Sequence, residues 1–223
     1  MSEWVARAVD RAPAMADRRD RAVEVSATIV AAAQRLLVTQ SYGFTVQELA
    51  RAAKVGLPTF YRHFKSKDDL MLVVLGDLIA GAAEQYEAQG RAYPDPIERL
   101  GFYIRITLAT LADEQVARFA TSEFGRLRQL FPDEMADVAQ PVTDLIHAAL
   151  LEGAAGARIS PIDPPRDAAL ITELVINAYH RRAVSTDGRT PDEVAAHVIA
   201  FVLHGLNATP SPPARRSRSR GAT

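Results

Sequence analysis

The chain has 223 residues, of which 48% are hydrophobic, enough to bury one or two domain cores. Its formal net charge is −1, it contains no cysteine, and it has no stretch of about 18 uncharged apolar residues. We therefore expect no disulfide framework, no thiolate metal site and no membrane span. Because the N-terminus MSEWVARAVDRAP is charged throughout, a secretory signal is not expected either, and we expect a cytoplasmic protein.

Charge is distributed unevenly along the chain. Residues 18–67 hold nine Lys/Arg against three Asp/Glu, whereas residues 68–209 hold eleven against twenty-one. A basic segment attached to an acidic body is typical of a site for a polyanion. Chance clustering of solvated charges is the alternative, so charge nominates the segment without deciding its role.

The first regular helical pattern begins near Asp17. Residues 1–16 show only a weak helical tendency and are assigned to a flexible N-terminal arm or a loosely held extra helix. From Asp17 an apolar stripe typical of a helix runs through Leu37. Gly43 readily adopts the left-handed backbone conformation that ends a helix.

Capping patterns predict three further helix starts. Thr45 and Glu48 form the T-x-x-E pattern of a capping box. A turn over 54–56 precedes a third helix over 57–64, and Ser66 caps a fourth.

The remaining sequence also has helical spacing and no strand alternation. Helices are predicted over roughly 67–89, 96–111, 113–131, 132–152, 166–184 and 191–206. Residues 210–223 contain proline, serine and arginine and are predicted to be a disordered basic tail. The predicted fold is all-α, with about nine helices in an N-terminal domain over 17–67 and a larger helical domain over 68–209.

The third helix separates an inner face from solvent-facing groups. Phe60 and Phe64 share one face and are expected to pack on the first two helices. Two helices joined by a three-residue turn form a helix-turn-helix, in which the second helix enters the major groove of double-stranded DNA. An ordinary three-helix unit with a basic surface is the alternative.

The outward side chains are expected to divide between phosphate contacts and base contacts. The groups suited to phosphate are Thr59, Tyr61, His63, Lys65 and Lys67. The groups suited to base edges are Gln47, Leu57, Pro58, Tyr61 and Arg62.

The run VGLPTFYRHFKSKDDL resembles the signature of the TetR family of transcriptional regulators, in which T-[hydrophobic]-Y-x-H-F is followed by S-K-x-x-L. The matching positions are Gly43, Thr45, Leu49, Ala50, Thr59, Phe60, Tyr61, His63, Phe64, Ser66, Lys67 and Leu70. The resemblance covers about residues 20–70. It implies backbone contacts from Thr59, Tyr61, His63 and Lys67, and base-facing positions at Gln47, Leu57, Pro58 and Tyr61. Gly56 departs from the pattern, since many members have serine there.

A homodimer is expected, because one helix-turn-helix makes too few contacts for selective binding at physiological salt. The last two helices carry apolar stripes that would form a four-helix interface: Leu170, Leu174, Val175, Ala178 and Tyr179 on one, and Val194, Val198, Phe201, Val202 and Leu206 on the other. The alternative is that both stripes face only the intramolecular core.

The middle helices are expected to hold a small-molecule effector. Their apolar candidates are Tyr86, Phe102, Tyr103, Phe119, Phe124, Leu127 and Phe131, with Arg105, Thr107 and Glu123 as polar contacts. That composition suits a largely apolar pocket, although aromatic residues at helical spacing are also typical of plain core.

No cofactor and no enzymatic activity are expected. The histidines are scattered without metal-ligand spacing, and no glycine-rich phosphate loop or Ser-His-Asp set is evident. The sequence favours a ligand-responsive regulator, most simply a repressor that binds a palindromic operator. The alternative is a helical small-molecule-binding or interaction protein whose helix-turn-helix is only structural.

Overall fold

The computed structural model describes residues 4–5, 19–40, 43–109, 114–185 and 188–208, without the side chains of residues 19 and 114–120. Within these ranges there are nine helices and no strand, which confirms the all-α prediction. In chain order they are α1 (Arg19–Thr39), α2 (Val46–Ala52), α3 (Leu57–His63), α4 (Lys67–Gly90), α5 (Pro96–Ala109), α6 (Glu114–Leu130), α7 (Pro132–Ala155), α8 (Pro164–Val184) and α9 (Pro191–Gly205). The predicted tail over 210–223 lies outside the described residues.

The predicted helix caps are formed. The Thr45 hydroxyl accepts a hydrogen bond from the Glu48 backbone N–H at 3.2 Å, and the Glu48 carboxylate accepts from the Thr45 N–H at 2.7 Å. At the start of α4, the Ser66 hydroxyl accepts from the Asp69 N–H at 3.1 Å. Each bond satisfies an N–H that the helix itself leaves unpaired, so α2 and α4 begin at defined residues.

The buried side chains form two clusters that meet along α4. The first contains fully buried residues of the N-terminal helices, such as Leu49 on α2 and Phe60 on α3. The second is built from α5, α7, α8 and α9. Because α4 contributes Leu70 to the first cluster and Tyr86 to the second, it links the two domains through continuous packing.

The prediction of a flexible arm over residues 1–16 does not hold for Trp4 and Val5, the two residues of this segment that the structure describes. Trp4 and Val5 are buried in the first cluster. A Cβ atom at Gly76 of α4 would lie only 2.2 Å from the Trp4 ring, so the indole lies directly on the α4 backbone. The weak periodicity of residues 1–16 concealed this contact, because it depends on a glycine far along the chain.

α7 continues beyond its predicted end. The helix predicted over 132–152 extends to Ala155 and includes Pro141 in its interior. Gly153 lies within the helix, and the Ile159 side chain packs so closely on it that a Cβ would lie 2.9 Å away. The glycine therefore serves close packing rather than a turn.

One described segment, Asp20–Thr39, has the length and apolar composition of a membrane span. Its residues Ile29, Ala32 and Ala33 are completely buried in the first cluster. The apolar stripe of α1 is therefore the face that packs on the N-terminal core.

Candidate functional site

A four-residue turn over 53–56 joins α2 to α3. Lys54 has a left-handed φ of 55°, and the Val55 N–H donates to the Ala50 carbonyl at 2.9 Å, which closes the turn. Gly56 then occupies the N-cap of α3 with extended backbone and no side-chain cap. A Cβ atom at this position would contact only the Pro58 Cδ, at 3.6 Å, so there is room for a side chain. The predicted helix-turn-helix is confirmed.

The inner face of α3 is the predicted one. Phe60 and Phe64 are completely buried, and their ring centroids lie 5.9 Å apart. The Tyr61 ring meets Phe60 edge to face at 5.1 Å. The two phenylalanines thus fix the rotation of α3, and this rotation turns the rest of its surface outward.

The outward surface carries most of the residues predicted to contact DNA. The exposed ones are Gln47, Leu57, Pro58, Tyr61 and Arg62. Tyr61 is 56% exposed although its ring touches Phe60. Thr59 is half-buried, and its hydroxyl accepts a hydrogen bond from Arg62 at 3.2 Å. The accessible part of α3 therefore combines an aromatic group, small apolar groups and a guanidinium.

Two lysines flank this surface at the start of α4. Lys65 is exposed, and its backbone N–H donates to the Asp69 carboxylate at 3.1 Å. The Lys67 ammonium lies 5.0 Å from the centre of the Phe44 ring, a cation–π contact that directs it. Both cations lie where the positive end of the α4 dipole adds to the attraction for an anion.

His63 is buried, although the sequence places it among the outward side chains of the third helix. Only 5% of it is exposed, and its Nδ1 is within hydrogen-bond distance of the Ser26 hydroxyl on α1, at 2.8 Å. Burial, with a smaller contribution from the Arg62 charge, lowers the pKa of His63 below 6.5. The imidazole therefore connects α3 to α1 in its neutral form. This corrects its assignment as an exposed phosphate contact.

Acidification is expected to destabilise the N-terminal domain through His63. Its pKa is lowered in the folded chain and about 6.5 in the unfolded one, so the unfolded state takes up the proton first. Stability is then lost as the pH falls below about 6.5, by at most about 1.4 kcal/mol per pH unit, until the folded pKa is reached. The measurement is urea unfolding of the wild type and His63→Gln between pH 7.5 and 5.5. Equal pH slopes for the two would contradict the assignment, and His204→Gln, at an exposed histidine, is the control.

An ion-pair network not expected from the sequence joins α6 to the start of α4. Arg126 pairs with Asp68 at 2.5 Å and with Glu123 at 2.6 Å. The hydrogen bond to Glu123 makes the largest contribution and raises the pKa of the Arg126 guanidinium; burial opposes it, and the hydrogen bond to Asp68 raises the pKa further. Asp68 is adjacent to Lys67, so the network ties the larger domain to the end of α4 nearest the helix-turn-helix. Because the Glu123 carboxylate pairs with Arg126, its assignment as an effector contact is not supported.

The predicted effector residues do not come together. Tyr86 and Tyr103 are buried in the second cluster, with Phe102 packed against it and stacked on Tyr93 at 4.8 Å. Phe124, Leu127 and Phe131 belong to or pack on the first cluster instead. The Phe119 side chain lies outside the described residues. Helical spacing identified inner faces correctly, but it carried no information about which cluster each face joins.

The apolar stripes of α8 and α9 divide in the same way. Val175, Val198, Val202 and Leu206 are buried within the chain, so these members of the predicted interface belong to the intramolecular core. The exposed apolar positions are Ala169, Leu170 and Val184 on α8, and Ala196, Ala200 and Phe201 on α9. Leu170 is 63% exposed and Phe201 66% exposed.

Within the described ranges, no three His, Asp or Glu side chains lie close enough together to hold a metal ion. The candidate site is the charged and aromatic surface formed by α3 and the start of α4.

Comparison with known proteins supports this description. Residues 29–74 match the family model of bacterial regulatory proteins of the tetR family. The chain is 27% identical over 189 residues to the HTH-type transcriptional regulator EthR of Mycolicibacterium smegmatis, covering 82% of this chain and 86% of that protein.

Solved structures share the fold at low sequence identity. RolR in complex with resorcinol superposes with a TM-score of 0.71 at 17% identity, over 86% of this chain and 92% of RolR. Thermus thermophilus FadR, a transcriptional repressor in complex with lauroyl-CoA, superposes with a TM-score of 0.65 at 21% identity, over 85% of this chain and 98% of FadR. The likeness spans both domains of the chain.

Proposed function

We propose that the chain, which matches the tetR family model over residues 29–74 and is 27% identical to a transcriptional regulator, is a transcriptional regulator of that family and acts as a ligand-responsive repressor. It binds a palindromic operator in double-stranded DNA as a homodimer, and a small, largely apolar molecule releases it. The observation that carries this proposal is the exposed surface of α3, with Tyr61 and Arg62 outward beside Lys65. Its site of action is the cytoplasm, where its operator lies.

The contacts proposed for that surface follow from its chemistry. Tyr61, Leu57 and Pro58 present apolar surface to thymine methyl groups, and Gln47 offers an amide suited to adenine. Lys65, Lys67 and the Thr59 hydroxyl contact phosphate, which sets register without reading sequence. His63 acts indirectly, since its bond to Ser26 fixes the position of α3.

Operator affinity is expected to fall steeply with salt, and Lys65→Ala is expected to reduce that dependence. Each neutralised phosphate contributes about −0.9 to the slope of log K against log[salt], so the variant loses about one unit. Fluorescence anisotropy with DNA from the promoter beside its own gene, across a salt series, measures the slope. The matched control is Arg91→Ala, which removes an exposed cation from the end of α4 remote from the helix-turn-helix.

Weak binding to all DNA with no salt dependence would reject the proposal. It would leave the alternative function, a helical binding protein whose helix-turn-helix is structural. An unchanged slope for Lys65→Ala, with strong operator binding intact, would reject only the phosphate contact.

The dimer is proposed to form through the exposed apolar positions of α8 and α9. Leu170 and Phe201 are too exposed to serve the chain's own core, and Ala196 and Ala200 allow helices to approach closely. A symmetric pairing of α8 and α9 with their copies makes a four-helix interface.

The effector is proposed to be small and largely apolar. RolR and FadR, which share the fold, were solved with an aromatic diol and a long-chain acyl thioester respectively. Resorcinol and lauroyl-CoA are therefore the first compounds for a thermal-shift and operator-release test.

A further inference from the structure

His180 holds a buried ring nitrogen that has no hydrogen-bond partner among the described residues. It lies on α8, facing α6, where its Nδ1 is 3.0 Å from the Thr121 hydroxyl. The imidazole packs on the Phe124 ring at a centroid distance of 4.5 Å. Its Nε2 is buried and has no hydrogen-bond partner in the part of the chain that the structure describes.

A buried nitrogen without a hydrogen bond destabilises the folded protein, so the presence of a histidine at this position requires an explanation. An imidazole has only two ring nitrogens, and with Nδ1 engaged, Nε2 is the whole of its remaining hydrogen-bonding capacity. Packing alone would be served better by phenylalanine, which fills a similar volume and places no polar atom between the helices. A bound group that pairs with Nε2 supplies the reason.

The chemistry of that group follows from the state of the ring. Burial, with a smaller effect of the Arg128 charge, lowers the pKa of His180, so the ring is neutral near pH 7. If Nδ1 accepts from Thr121, Nε2 carries a hydrogen and donates. If Nδ1 donates, Nε2 accepts. A hydroxyl group both donates and accepts, so it satisfies either tautomer, whereas a carboxylate satisfies only one.

We propose that His180 Nε2 is the polar anchor of the effector site, and that the effector carries a hydroxyl group on an aromatic ring. This deepens the proposed function and rests on it. Phe124 is half-buried and presents aromatic surface directly beside the anchor, which suits a ring rather than a flexible chain.

The position of the anchor connects it to the DNA-binding surface. Thr121 and Phe124 stand on the same helix as Arg126, which pairs with Asp68 at the start of α4. A ligand that binds Nε2 beside Phe124 contacts α6, the helix that carries this ion pair.

Two substitutions separate the two nitrogens of His180. The side-chain amide of glutamine reaches the position of Nε2, whereas that of asparagine reaches only the position of Nδ1. His180→Gln is therefore expected to keep a response to phenolic ligands, and His180→Asn to lose it. The probes are resorcinol and phenol, with toluene as the ring without a hydroxyl. Melting temperature and release from promoter DNA are the readouts.

Resorcinol or phenol is expected to raise the wild-type melting temperature and release DNA, with toluene much weaker. In His180→Asn the apparent Kd for the phenols rises about tenfold or more, as expected for a lost buried hydrogen bond, while DNA binding without ligand is unchanged. Equal responses of wild type and His180→Asn would overturn the proposal. So would a wild type that binds its operator but responds to no phenol, and the repressor function would then still stand. If the wild-type protein did not bind the promoter DNA at all, the proposed function itself would be rejected.

Discussion

Replacing Phe201 with glutamate is expected to make the protein monomeric and to weaken operator binding by about a hundredfold or more. Phe201 is 66% exposed in the single chain, so its ring has no role in the intramolecular core. In the proposed four-helix interface it becomes buried, and a carboxylate there loses its hydration without a partner. A monomer engages only one half-site and gives up the gain from simultaneous binding of two.

The matched control for Phe201→Glu is Leu78→Glu. Leu78 is likewise a large, exposed apolar residue, with 47% of its surface accessible, but it lies on α4, outside the proposed interface. Analytical ultracentrifugation gives the oligomeric state, circular dichroism checks the fold, and anisotropy gives operator affinity. A Phe201→Glu protein that remains a dimer would show that the copies associate through another surface.

Phe60→Ala is expected to reduce the free energy of unfolding by about 3–5 kcal/mol. Phe60 is completely buried and contacts the rings of both Tyr61 and Phe64, so its truncation leaves a cavity at the centre of the N-terminal core. Typical domains are stable by about 5–15 kcal/mol, and this loss is a large share of that total. Urea unfolding followed by circular dichroism measures it.

The adjacent substitution Tyr61→Ala is the control that separates stability from recognition. Tyr61 is 56% exposed, so its loss is expected to cost little stability but to weaken operator binding substantially. If Phe60→Ala unfolded at the same urea concentration as the wild type, α3 would not be held by its phenylalanines. If Tyr61→Ala bound the operator normally, the outward face of α3 would not be the reading surface.

Features that depend on neighbours in sequence were predictable. The capping box joins Thr45 and Glu48, which are three positions apart, and the inward pair Phe60 and Phe64 is one helical turn apart. In both cases the side chains that interact lie on the same short segment. Local pattern and helix geometry were therefore sufficient to place the helix-turn-helix.

Features that depend on distant partners were not predictable. The helical pattern of α3 places His63 among the outward side chains, whereas its partner Ser26 lies 37 residues earlier in the chain. Likewise, nothing near Glu123 indicates that Arg126 connects it to Asp68. A single helical wheel shows which side chains point inward but not which helix they meet, so the two clusters could not be separated.

The burial of Trp4 on Gly76 gives the molecule an intrinsic optical probe. The chain contains one tryptophan, and its indole rests on the backbone of the helix that links both domains. Emission from this single residue therefore reports the local environment of α4, with no background from other indoles. Events at either end of the protein, operator binding or effector binding, are observable in one cuvette without a label when they change that contact.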